Sequence, residues 1–107
     1  MNHCGLKILS KNDLGFISMP EDQNIIHLCF NNLLINFSKD DFYMFRRIVN
    51  DIYREQEPVC FPDGRQRILL NSPYSGINFS FNRLEMEQLV RSLDEAFYME
   101  KIYSYLQ

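Results

Sequence analysis

The stretch Ile25-Ile26-His27-Leu28-Cys29-Phe30-Asn31-Asn32-Leu33-Leu34-Ile35-Asn36-Phe37-Ser38-Lys39-Asp40-Asp41-Phe42 decides the fold. Two apolar runs flank Asn31-Asn32, and asparagine tolerates the positive φ that a two-residue type I′ turn requires. Such a turn fixes the register: Phe30 faces Leu33, Leu28 faces Ile35 and Ile26 faces Phe37. Side chains alternate across a strand, so these six share one face. All six are large and apolar, as a core face should be. The opposite face carries Ile25, His27, Cys29, Leu34 and Asn36. It is half apolar, and the N-terminal strand, a second hairpin or a partner chain is expected to cover it.

Ser38 is the expected cap of a first helix. Ser38-Lys39-Asp40-Asp41 fits the Ser-x-x-Asp start signal, and two carboxylates in the first turn suit the helix dipole. Phe42, Phe45, Val49, Ile52 and Tyr53 form one helical stripe, which predicts a helix over 39–56 with Pro58 just past its end.

Downstream, Ile35-Asn36-Phe37-Ser38 recurs verbatim as Ile77-Asn78-Phe79-Ser80, 42 residues on. Continued at that offset, Phe42 maps to Leu84, Met44 to Met86 and Ile48 to Val90, which predicts a duplicated strand-then-helix unit. Residues 59–65 read as a loop around Pro62-Asp63-Gly64. A strand over 66–71, the turn Ser72-Pro73-Tyr74-Ser75-Gly76 and a strand over 76–79 follow. The second helix starts at Ser80 by equivalence, or at Asn82 by its own box, Asn82-Arg83-Leu84-Glu85; the sequence leaves both open. Met86, Leu89, Val90, Leu93, Ala96 and Phe97 are its expected buried stripe, and nothing interrupts it before Tyr105. Upstream, 6–10 and 14–19 read as two strands joined by Lys11-Asn12-Asp13. The expectation is one α+β domain over 1–107: N-terminal strands in 1–24, one β-β-α unit in 25–57 and another in 66–106. A mostly antiparallel sheet would carry both helices on one face.

Eleven Lys and Arg stand against fourteen Asp and Glu, a net charge of −3. Nucleic-acid modules need a basic footprint, so no nucleic-acid partner is expected. No apolar run approaches the ~20 residues of a membrane span, so no membrane partner is expected either. Three cysteines, an odd count, with no signal-peptide layout at the start, point to reduced thiols in a cytoplasm. Gly-x-Ser-x-Gly, His-Glu-x-x-His, Cys-x-x-Cys and phosphate-cradling Gly-rich loops are all missing, so no cofactor and no catalytic residue is assigned, and the reading is non-enzymatic.

Three residue sets carry what chemistry there is. Phe97 to Leu106 is unusually aromatic, with apolar residues on more than one helix face. Tyr98, Ile102, Tyr105 and Leu106 are therefore the expected interface of a homodimer, or of a contact with another protein. Arg46, Arg47, Arg54, Arg65 and Arg67 cluster in sequence and could converge on a phosphate or a carboxylate, with Arg46, Arg47, Arg65 and Arg67 the assigned anion set; the plainer reading pairs the cluster with Asp51, Glu55 and Glu57. His27 and Cys29 point the same way from a strand, and with His3 and Cys4 they would complete a tetrahedral metal set. At i and i+2 their Cα atoms are about 6–7 Å apart, too far for a nucleophile–base pair.

Cys4-Gly5, Leu14-Gly15-Phe16-Ile17, Ile26 through Asn32, Phe42 and Phe45 resemble a family of small uncharacterised bacterial proteins, over about residues 4–53. The resemblance implies a Gly-aromatic-aliphatic strand ahead of a hairpin and a helix. Members of that family often carry Cys-x-x-Cys where this chain has Met19 to Asp22, so no metal site is implied there. No activity is implied.

Overall fold

The computed structural model describes residues 6–21, 24–72 and 75–106. Nine elements follow in order: β1 (Leu6–Asn12), β2 (Gly15–Pro20), β3 (Ile25–Phe30), β4 (Leu33–Ser38), α1 (Lys39–Glu55), β5 (Val59–Cys60), β6 (Gln66–Asn71), β7 (Asn78–Phe81) and α2 (Arg83–Tyr105). The fold is α+β, and every strand pairing is antiparallel. The strands divide between two sheets, β1-β2-β3-β4 and β5-β6-β7, where a single sheet was expected. Side chains rather than a backbone ladder join them. Phe30 and Phe81 meet edge to face at 5.8 Å, and beyond them a cleft of about 480 Å³ opens between β4, α1 and the β6–β7 hairpin.

The β3–β4 register is the predicted one: Phe30 opposite Leu33, Leu28 opposite Ile35, Ile26 opposite Phe37. The turn is not type I′. Among the described residues Asn31 (φ +52°) is the one non-glycine with positive φ, so Asn32 does not share it. A two-residue loop holds the register either way. Ile26, Leu28 and Phe30 are sealed together with Ile17 and Met19 of β2, and α1 and α2 cover this face. The N-terminal strands do not cover the other face; they widen it. Leu6, Ile8, Phe16, Ile25 and Leu34 all stay exposed there. Gly15 leaves no room for a side chain between β2 and β3: a Cβ there would sit 1.9 Å from the Cys29 carbonyl oxygen.

Ser38 caps α1, accepting from the Asp41 backbone N–H, and Gln56 is its C-cap. Asn82, not Ser80, caps α2, with a full capping box to Glu85. The caps therefore lie 44 residues apart, and the offset of 42 fails in the helices. Phe42 is sealed while Leu84 is 65% exposed, and Met44 is 59% exposed while Met86 is sealed. At 44 the buried positions coincide, Phe42 with Met86 and Val49 with Leu93. The hairpin registers locate the shift: Ile26 opposes Phe37, and Ile68 opposes Phe81. The step from Ile26 to Ile68 is thus 42 and that from Phe37 to Phe81 is 44, the longer second turn supplying two residues. Two boundaries move as well. Val59–Cys60, expected as loop, pairs with Arg67 and Gln66, closing a hairpin through Gly64 (φ +81°). The returning strand is 78–81 rather than 76–79, because Gly76 (φ +85°) is still in the turn. Pro73 and Tyr74 of that turn lie outside the described residues.

Candidate functional site

Helices α1 and α2 run antiparallel and are joined by a polar ladder. Tyr43 Oη donates to Glu100, Arg46 Nε to Asp94 (2.8 Å), Asn50 Nδ2 to the same Asp94 oxygen (3.2 Å), and Tyr53 Oη to Glu87 (3.0 Å). The four α1 donors lie at i, i+3, i+7 and i+10, one side of the helix. Each acceptor is a carboxylate of α2. Glu100 is 1% exposed, the one buried charge among the described residues. Lys39 Nζ lies 3.2 Å from it, and Ser104 Oγ donates at 2.7 Å. Burial pushes the Glu100 carboxyl up, but bonds from Tyr43, Ser104 and Lys39 outweigh it and hold the group below the ordinary glutamate value. Burial, then the bond to Glu100 and the charges of Glu100 and Asp40, push the Tyr43 phenol up to about 12. The hydrogen bond to Glu87 likewise raises the Tyr53 phenol.

This ladder frames a groove of about 450 Å³ lined by Tyr43, Arg46, Arg47, Asn50, Asp51, Arg54, Phe97 and Lys101. Of the five clustered arginines the structure gathers Arg46, Arg47 and Arg54 here, and adds Lys101. Arg65 and Arg67 belong to the β5–β6 hairpin, where Asp63 holds Arg67 at 3.1 Å and Phe61 lies beneath its guanidinium. The Asp63 carboxyl is lowered by the Arg65 backbone N–H and then by Arg67. Of the expected exposed pairs, Arg54 with Asp51 is present at 2.5 Å; Arg46 reaches across to α2 instead.

Tyr98, Ile102, Tyr105 and Leu106 are 59, 49, 89 and 76% exposed. Their spacing of four, three and one puts them on one stripe of the last two turns of α2 and its C-cap, and Ile102, Tyr105 and Leu106 lie beyond the last sealed residue, Glu100. His27 and Cys29 lie on the open face of the four-stranded sheet. The His27 ring is engaged, Nδ1 to the Asn36 side-chain oxygen at 2.5 Å, and Cys29 sits between Phe16 and Leu34 in the pairing register. His3 and Cys4 lie outside the described residues. No group of three His, Cys, Asp or Glu that could hold a metal occurs among the described residues.

Sequence reasoning missed Glu100, Asp94 and Lys101. Helix-surface acids and lysines read as solvated, and the only available signal was that 43, 46, 50 and 53 share one side of α1.

A fold of two sheets and two helices, from Leu6 to Tyr105, is the unit to compare with known proteins. The matching family spans residues 1–106. The chain belongs to a family of unknown function, DUF6686. The family covers twice the stretch on which the resemblance to uncharacterised proteins was read, and takes in the groove and the α2 tail. No curated protein and no solved structure matches the sequence. No described helix is long and apolar enough to cross a membrane.

Proposed function

We propose that the protein is a small cytoplasmic, non-enzymatic interaction domain that works as a homodimer, with Tyr98, Ile102, Tyr105 and Leu106 at the interface. The exposed stripe at the end of α2 carries this reading. Alternate spacings of three and four are those of helix–helix seams, and tyrosine is enriched at interface cores. The free Cys29 and Cys60 fit a reducing compartment.

Area sets the expected strength. At roughly 200 Å² per tyrosine side chain, the two tail tyrosines present about 300 Å². A standard interface takes about 800 Å² from each partner. The tail supplies a seam and not a full obligate interface, so the association is expected to depend on concentration.

The double variant Tyr98→Glu with Ile102→Glu tests this by sedimentation velocity over a micromolar concentration series. All these positions are exposed, so the fold should survive, which circular dichroism checks. The wild type is expected to shift from monomer to dimer and the variant to stay monomeric. The same association in both would remove the tail from the interface.

A further inference from the structure

We infer that the groove between α1 and α2 is a binding site for the phosphate group of a small phosphorylated molecule, held by Arg46, Arg47, Arg54 and Lys101. The four cations surround one depression with Asp51 on its wall and Asp94 behind Arg46. That local balance is +2, on a chain whose net charge is −3. Cations gathered in this way repel one another, and an anion in the groove would relieve that repulsion.

Arg46 is prepared for the role. Its Nε is tied to Asp94, and its guanidinium carbon lies 4.1 Å from the Phe97 ring centre and 5.7 Å from that of Tyr98. Asn50 bonds both that Asp94 oxygen and the Arg46 carbonyl (2.9 Å), which fixes the same corner. The two terminal nitrogens of Arg46 have no protein partner among the described residues. They form the fork that recognises a phosphate or carboxylate edge. Lys101 Nζ rests 4.7 Å from the Tyr43 ring centre and 5.3 Å from that of Phe97, with no carboxylate partner among the described residues. Arg47 is exposed and has no ion-pair partner among them. A dianion matches the +2 balance better than a monocarboxylate does, and a groove of about 450 Å³ is in the size range of small-molecule sites.

The test is calorimetric titration of the full chain with inorganic phosphate and with ribose 5-phosphate, at an ionic strength fixed with chloride. Arg47→Gln with Lys101→Gln is the main variant, because both residues are exposed and neither holds an ion pair among the described residues. Arg65→Gln with Arg67→Gln is the control of equal charge. Saturable binding that weakens at least tenfold in the first double variant and stays unchanged in the second supports the site. Tighter binding of ribose 5-phosphate assigns it to a phosphate ester, and tighter binding of inorganic phosphate to the free ion. No saturable binding by the wild type, or equal weakening in both variants, overturns it. Amide chemical shifts on phosphate addition provide a second reading that needs no variant: changes confined to 43–54 and 97–101 are expected, and changes elsewhere would contradict the location.

Discussion

Helix α2 is held from two sides by different chemistry. On the core side Met86, Leu89, Leu93 and Ala96 are sealed among apolar neighbours. On the α1 side Glu87, Asp94 and Glu100 accept hydrogen bonds from two tyrosines, an arginine and an asparagine. The core side is non-directional and insensitive to pH, since burial of apolar area is its main term. The ladder is directional and titratable. One burial event therefore places the helix, and the ladder sets its rotation and axial position against α1. It also leaves Arg46 anchored at the groove.

The comparison can be broken from the dry side first. Gly15→Ala should have the largest effect, roughly 4 kcal/mol or more, because the new Cβ collides with backbone and β2 cannot pair with β3 at that point. Loss of cooperative thermal unfolding would show it; an unchanged melting temperature would mean that the close approach is relaxed at little cost.

The two sides can then be weighed against each other. Leu93→Ala should cost about 3 kcal/mol through the cavity it leaves. Glu100→Ala should cost about 2 kcal/mol, because it takes the acceptor away from the partly buried Tyr43 hydroxyl, while Lys39 and Ser104 can turn to water. Urea unfolding across pH separates them. The Glu100 carboxyl titrates below its ordinary value in the folded chain, so its contribution is complete above pH 4.5 and is lost as pH falls through the folded value. The Tyr43 phenol is raised, so its contribution is complete below pH 10 and is lost as pH rises through about 12. The penalty of Glu100→Ala should shrink towards both extremes, while that of Leu93→Ala stays constant. Parallel pH profiles would mean that the ladder is merely packed.

Asp94→Ala should have the smallest effect, about 1 kcal/mol, since Asp94 and Arg46 are both partly solvated. It frees Arg46 from its anchor, so its clearer readout is a widened pattern of Arg46 side-chain signals in the NMR spectrum.

Much of the dry side was readable from residues alone. The hairpin register came from six apolar side chains that agree under one turn length, and the α1 cap from Ser38 with Asp41. These are local signals with a fixed period. The ladder was not readable, because Glu100 sits in a run that looks the same whether water or Lys39 faces it. The verbatim Ile-Asn-Phe-Ser match misled by two residues: identity held along the chain, while burial and capping followed the longer second turn. The division into two sheets depends on how β4 and β7 approach across a cleft, which no local pattern encodes. Of the site residues, Arg46, Arg47 and Arg54 were found through charge clustering, and Lys101 could not be, since the topology brings it there from half a chain away.

Self-association through the α2 tail is the central claim. A native mass spectrum of the untagged full chain, recorded over a micromolar concentration series, tests it most directly. The prediction is a dimer peak that grows with concentration and vanishes in the Tyr98→Glu/Ile102→Glu variant. A wild-type chain that stays monomeric throughout the series would contradict it.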